Sequence, residues 1–247
     1  MNGKLIYKNV SPSYSFVSGY KMNFERLVYH FARANITPRV ILDVGANKGQ
    51  WFKECRNVFR CPMHLFEADN DNFGSIVNTI NQSHTKYGYI STTLTMELLG
   101  EKVGTEVSFY KAKIANNTGN SMYLENSNYF KDHDMVKMKT NTLDNVIGDM
   151  YDHIDLIKLD VQGAELDILR GSTEKVLPKC DLILMEVALL QYNKGAPLSG
   201  EVFTYMDSIG FQAIDILEKH YFNKDMIQAD FLFARKGSVY IPQTFVC

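Results

Sequence analysis

The stretch VILDVGANKGQW, Val40 to Trp51, constrains the fold of this chain more than any other. An apolar run ends in Asp43, Gly45 and Gly49 follow, and then Trp51, Phe52, Cys55, Val58 and Phe59 fall on one helical face. Strand, glycine turn and helix in that order open a nucleotide-binding unit. Gly45 lets the chain turn tightly and brings backbone N–H groups toward a ligand, while Gly49 lets the start of the helix pack closely. Ala46 and Asn47 lie in the same turn and count with the two glycines as cofactor contacts.

The alternation continues along the chain. CPMHLFEAD (Cys61–Asp69) reads as a second strand, DNFGSIVNTI as a helix and YGYISTTL as a third strand. From about Val103 to Thr140 the rhythm changes to TEVSFYKAKI, a turn-rich loop and VKMKT. This is an insertion of strands and loop with too few apolar residues for a core of its own. IDLIKLD (Ile154–Asp160), GAELDILRG, CDLILMEV and GEVFTYMDSIG resume strand and helix in turn. FQAIDIL and ADFLFARK close the chain as a hairpin with a loop-like connection. Near-continuous apolar strands separated by helices imply an α/β fold with a mainly parallel sheet and an antiparallel hairpin at its edge. Ahead of it, Asn23–Ile36 is an amphipathic helix. Two regions result, residues 1–37 as an N-terminal segment that shapes the acceptor side and 38–247 as the main domain.

Charge and composition exclude several function classes. The formal net charge of the 247 residues is −2 with no basic block, which argues against a nucleic-acid binder. Cys55, Cys61, Cys180 and Cys247 show no C-x-x-C pair and no zinc spacing, so free thiols in a reducing compartment are expected. The amino-terminal MNGKLIYKNVSPSYSF has no apolar signal core, and no stretch is long enough to span a bilayer. A soluble cytoplasmic protein is the expectation, with a small-molecule or glycan acceptor as partner and a homodimer as one option.

The turn discriminates between ligands. A dinucleotide fold asks for G-x-G-x-x-G to receive a pyrophosphate, whereas Gly45 to Gly49 is G-x-x-x-G, with Asp43 two residues ahead. A carboxylate there disfavours a pyrophosphate and suits a cationic ligand. S-adenosylmethionine has a sulfonium, an ammonium and an adenosine ribose and no phosphate, and it fits. Glu67, at the end of the second strand with Ala68 beside it, is placed to accept both ribose hydroxyls. It would do the same for a nicotinamide cofactor, so Glu67 alone does not decide.

DLIKLDVQGAELDILRGS (Asp155–Ser172) followed by LILMEV resembles the FkbM family of S-adenosylmethionine-dependent methyltransferases. ILDVGANKGQW, LFEAD, TGNSMYL and TNTLDNVI are similar to further segments of that family, and the resemblance covers roughly residues 38 to 235. Ala68 stands where the family commonly has proline. The resemblance implies a Rossmann-like class I methyltransferase fold with a mainly parallel seven-stranded sheet, helices on both faces, an antiparallel edge strand and a small β/loop insertion. It also implies O-methylation of a hydroxyl on a sugar or a natural product.

Such a transfer needs an aligned acceptor and a group to take its proton. Asp160, at the end of the fourth strand, is the first candidate for base or acceptor-orienting carboxylate, and Glu186, near the end of the fifth, is the second. Glu165 is equally well read as a helix-start carboxylate. Lys158 pairs a carboxylate or meets substrate, and Tyr192 lines the acceptor pocket. Mg²⁺ on Asp160 with Glu165 or Glu186 is a secondary option. Among the histidines, His133, His153 and His220 fall in expected loops, and any could serve as base. Trp51, Met135 and Met138 read as core, and His30 and His64 as core or surface residues inside regular elements. Three alternatives stay open: N-methylation or another acceptor, a nicotinamide-dependent oxidoreductase, and a non-catalytic S-adenosylmethionine sensor.

Overall fold

A computed structural model describes residues 22–114, 118–222 and 224–242. Residues 1–21 of the N-terminal segment, and Cys247, lie outside the described residues. The main sheet has seven strands: β1 (Ile41–Val44), β2 (Met63–Glu67), β3 (Thr92–Met96), β6 (Ile154–Leu159), β7 (Cys180–Ala188), β8 (Phe211–Phe222) and β9 (Asp225–Arg235). Their order is β3-β2-β1-β6-β7-β9-β8. All pairings are parallel except those of β9, which runs antiparallel to both β7 and β8. The closing hairpin lies at the sheet edge, with its second strand inserted one place inward.

The pleat sorts residues onto two faces. Leu42, Val44, Ile157, Leu159, Ile183 and Met185 belong to one buried cluster. Their neighbours Ile41, Leu65, Leu156, Leu182 and Leu184 belong to the other. Helices α4 (Leu143–Ile147), α5 (Glu165–Arg170) and α6 (Ser199–Ser208) cover the first face. The second is covered by α1 (Met22–Ala34), α2 (Gln50–Val58) and α3 (Phe73–Tyr87). Sheet residues buried on both sides explain why these strands read as continuous apolar runs. Among the described residues no helix is long and apolar enough to cross a membrane.

The insertion forms a separate two-stranded antiparallel sheet, β4 (Glu106–Ala112) with β5 (His133–Lys139). Three local expectations are corrected here. Met135 is exposed on β5, because a lone hairpin buries at most one of its faces. His220 lies inside β8, which runs past the apolar FQAIDIL into a polar stretch still paired with β9. Trp51 is half-buried, with its ring against Phe24.

The strand order reverses between β1 and β6, and that divide, beyond the carboxyl ends of the strands, is where such sheets hold ligands. A cavity of about 520 Å³ opens there.

Candidate active site

The turn after β1 is left-handed at Gly45 (φ 81°), Asn47 (φ 50°) and Gly49 (φ 83°). At Gly45 a Cβ would lie 1.9 Å from the backbone oxygen of Asp160, so the loops after β1 and β6 touch where only glycine fits. Gly49 sits against the Thr79 side chain of α3 and outside the cavity lining, whereas Gly45, Ala46 and Asn47 line it. The backbone donors of the turn mostly serve the fold. Gly45 and Ala46 donate to the Phe66 carbonyl at 3.0 and 2.9 Å, and Gly49 donates to that of Ala46 at 2.8 Å. The expectation that these N–H groups face a ligand is corrected accordingly: neighbouring β2 holds those of Gly45 and Ala46, and the turn itself holds that of Gly49.

Glu67 is the polar group this turn presents. Its Oε2 accepts the Asn47 N–H at 2.7 Å and its Oε1 accepts the Asp69 N–H at 2.8 Å. Burial pushes the carboxyl above its ordinary range, and those N–H groups with the Asn72 amide pull it back. Oε1 also accepts from the Asn72 amide, whereas Oε2 retains lone-pair capacity, so a carboxylate fixed in orientation lines the cavity beside Ala68.

Asp43 and Lys158 are direct partners across β1 and β6. The Lys158 ammonium lies 3.1 Å from Asp43 Oδ1 and 3.5 Å from Asp160 Oδ2, and donates to the Gly45 carbonyl at 3.0 Å. Burial works against that ammonium, and the two carboxylates more than offset it, so its pKa is raised. Asp43 is 0% exposed and does not line the cavity. Its charge is met by Lys158, which lines the cavity itself.

At the other end, side chains of β7, β8 and β9 converge. Glu186 and Asp230 are cross-strand partners, and Asp230 pairs on its other side with Glu218. Glu186 Oε2 accepts from the Gln162 and Gln228 amides at 2.9 and 3.0 Å. Burial, with Asp160 and Asp230 close by, pushes its carboxyl well above the ordinary range. The Gln162 amide also donates to Asp160 Oδ1 at 2.8 Å. Glu67 at the end of β2 and the carboxylates of β7, β8 and β9 thus line a single cavity.

The model of the methyltransferase FkbM domain matches residues 43–213. The chain belongs to the FkbM methyltransferase family. The crystal structure of methyltransferase FkbM from Methylobacillus flagellatus KT superposes with a TM-score of 0.53 at 15% identity, covering 80% of this chain but only 44% of that one. A S-adenosylmethionine-dependent methyltransferase from Clostridium acetobutylicum ATCC 824 gives 0.51 at 11% identity, over 89% of this chain and 93% of that one. Magnesium protoporphyrin IX methyltransferase from Synechocystis PCC 6803, solved with bound SAM, gives 0.50 at 9% identity, over 87% and 78%. At such identities the likeness is one of fold. No curated protein matches.

In this FkbM-family chain, Glu165 is placed as a brace. Its oxygens accept the Val161 N–H at 3.1 Å and the Gly163 N–H at 3.2 and 3.0 Å, and burial pushes its carboxyl up to about 7. It does not line the main cavity. With those oxygens engaged by the loop backbone, the pairing of Glu165 with Asp160 around Mg²⁺ loses its basis. Tyr192 lines the cavity, and its hydroxyl donates to Glu125 at 2.8 Å. His133 Nδ1 donates to the Phe130 carbonyl at 2.7 Å, and His153 sits between Asp155 and Asp181. Neither lines the cavity, whereas His220 does.

Sequence reasoning missed Phe24, Asn120, Met122, Glu125 and Asp230, which also line it. For the insertion loop a signal existed in TGNSMYL. Asn120 donates to Asp69 Oδ2 at 2.8 Å, and the Ser121 hydroxyl donates to the Val161 and Gln162 carbonyls at 2.9 Å, which ties that loop across the site. Asp230 carried no signal, because only the pairing of β9 with β7 brings it to Glu186.

Proposed function

We propose that this enzyme transfers the methyl group of S-adenosylmethionine to a hydroxyl of a sugar, or of a sugar-containing glycan or natural product. The observation that carries the reading is the Glu67 carboxylate, fixed by two backbone donors on the rim of a cavity whose far end is lined by Asp160, Glu186 and Asp230. Carboxyl groups far outnumber the basic groups in the lining, which are Lys158 and His220. A pyrophosphate would meet that field unfavourably, and a sulfonium with an uncharged polyhydroxyl acceptor would not. This favours S-adenosylmethionine over a nicotinamide dinucleotide.

When bound, S-adenosylmethionine supplies a methyl group on a sulfonium sulfur, which becomes a neutral thioether as the methyl passes to the acceptor. Glu67 accepts its ribose hydroxyls, and the backbone of Gly45, Ala46 and Asn47 walls the same end of the cavity. Asp160 orients the acceptor hydroxyl, and Glu186 hydrogen-bonds a further acceptor oxygen. Lys158 and Tyr192 complete the acceptor side. The buried, unpaired thiols of Cys55, Cys61 and Cys180 fit a reaction carried out in the cytoplasm. The acidic lining also accommodates an amine, which makes N-methylation the second reading.

Calorimetry with S-adenosylhomocysteine and with NADH tests the donor. Micromolar affinity for the first and none for the second is expected, and the reverse pattern would end the proposal. Labelled S-adenosylmethionine with a pool of methyl glycosides and amino glycosides tests the acceptor, and NMR of the product tells O- from N-methyl. Glu67→Ala is expected to weaken S-adenosylhomocysteine by ~1–3 kcal/mol, because ribose hydroxyls and two backbone donors lose their acceptor. An affinity equal to wild type would remove Glu67 from the donor site. Asp160→Asn is expected to slow turnover about tenfold, roughly 1.4 kcal/mol, while donor affinity stays within about twofold. Unaltered turnover would clear Asp160 of the orienting role.

A further inference from the structure

The proton of the acceptor hydroxyl needs a destination, and none of the carboxyl groups so far described is well suited to it. Glu186 is buried among other acids, which pushes its carboxyl well above the ordinary range, and its Oε2 already accepts from Gln162 and Gln228. Asp160 is half-exposed, accepts from Gln162 and has the Lys158 ammonium 3.5 Å away. Glu165 is outside the cavity lining. Resting on the methyl-transfer reading above, we propose that His220 is the general base of this enzyme and that Asp230 is the positioning residue that sets its tautomer.

The geometry comes from sheet register. Glu186 on β7, Asp230 on β9 and Glu218 on β8 stand in one row across three adjacent strands, and all three line the cavity. Like charges directly opposite one another destabilise a sheet, so the row is an expense for the fold and points to work done by the site. His220 sits two residues beyond Glu218 on β8 and is paired with Gln228 of β9. Its Nε2 lies 3.2 Å from Asp230 Oδ1 and 3.7 Å from Glu186 Oε1.

An ionised carboxylate only accepts, so Nε2 carries the proton in that bond and Nδ1 keeps a free lone pair. A carboxylate that binds one ring nitrogen fixes the other as proton acceptor and stabilises the imidazolium once it forms. In the step itself an acceptor-oxygen lone pair forms the new bond to the methyl carbon. The S–CH₃ electron pair stays with sulfur, the hydroxyl proton passes to Nδ1, and the imidazolium returns it to solvent.

The charged groups around the ring are Asp230 from β9, Glu186 from β7, Glu218 from β8 itself and Asp160 from the end of β6. The Asp230 bond, against the opposing effect of burial, raises the imidazole above its ordinary pKa, with Glu218 and Asp160 adding to it. Activity carried by the neutral ring therefore rises with pH through a midpoint above about 6.5, the ordinary histidine value.

The test combines NMR with turnover. In ¹⁵N-histidine-labelled protein, the signal missing from His220→Gln identifies the ring. The neutral ring is expected to carry its proton on Nε2 and to titrate above about 6.5, and Asp230→Asn is expected to lower that midpoint. A proton on Nδ1, or a midpoint unmoved by Asp230→Asn, overturns the assignment of Asp230. With labelled S-adenosylmethionine and the glycoside pool, His220→Gln is expected to lose about 100-fold in turnover with S-adenosylhomocysteine affinity within about twofold. Asp230→Asn is expected to move the acid limb of the pH profile to lower pH. Wild-type turnover in His220→Gln overturns the base role while the methyl-transfer reading survives. Loss of turnover with EDTA that Mg²⁺ restores makes the cluster a metal site and likewise overturns it. A wild-type protein that fails to bind S-adenosylhomocysteine overturns both.

Discussion

Gly45→Ala is expected to destabilise the enzyme by about 2–6 kcal/mol, the combined range for a non-glycine residue in a left-handed conformation and for overpacking. Both terms arise at this position. The backbone sits at φ 81°, and the added Cβ would lie 1.9 Å from the backbone oxygen of Asp160. A backbone atom cannot swing aside as a side chain can, so relief requires the loops after β1 and β6 to separate. That movement shifts Glu67 as well, because Gly45 and Ala46 are tied to the Phe66 carbonyl next to it. Urea unfolding should therefore show a lower midpoint, and calorimetry a weakened S-adenosylhomocysteine. Gly49→Ala is the milder comparison, since its nearest neighbour is the Thr79 side chain at 3.1 Å. A Gly45→Ala protein within 0.5 kcal/mol of wild type, roughly the scatter of neutral surface changes, would contradict the close approach of the two loops.

The second large effect is expected for Lys158→Met. The ammonium is buried beside Asp43, which is 0% exposed and is served by no other charged partner within 4.0 Å among the described residues. Removing one member of a buried pair leaves an uncompensated charge and costs about 3–5 kcal/mol. The pH dependence carries a definite sign. Burial already pushes the Asp43 carboxyl above its ordinary range, with Lys158 pulling it back, and in the variant that pull is gone. Between the unfolded carboxylate pKa and the higher folded value, the unfolded chain holds fewer protons. Stability of the variant therefore falls as pH rises through that window. Asp43→Leu combined with Lys158→Met is expected to recover much of the loss, since an apolar pair of similar size suits this face of the sheet. Denaturant titrations at pH 5 and pH 8 check both statements. A Lys158→Met protein equally stable at the two pH values would show that Asp43 is not left as an uncompensated buried charge.

Much of this architecture is legible in the residues themselves. Strands buried on both faces have to be apolar throughout, and glycines that occupy left-handed backbone cannot be replaced cheaply. The order strand, turn, helix after Val40 therefore announces the parallel sheet and the position of its ligand crevice. Glu67 is readable for the same reason, because the end of the second strand lies on that rim whatever the rest of the chain does. Asp43 shows the limit. Its place in the motif suggested a charge facing the ligand, yet its strand parity turns it inward, and the cross-strand partner that takes its charge lies more than a hundred residues further on. The backbone donors of the turn were misplaced for a related reason, since nothing local says that the Phe66 carbonyl accepts them.

The sequence by itself determined the fold class, the glycine turn and the carboxylate at the end of β2, since local backbone sterics and the period of burial are written residue by residue. Only the tertiary structure decided the far end of the cavity. It inserts β9 between β7 and β8, draws β8 on to His220, and sets Glu186, Asp230 and Glu218 in one row. Strand pairing between distant segments is a matter of register, and register depends on how the whole sheet packs, not on any short run of residues.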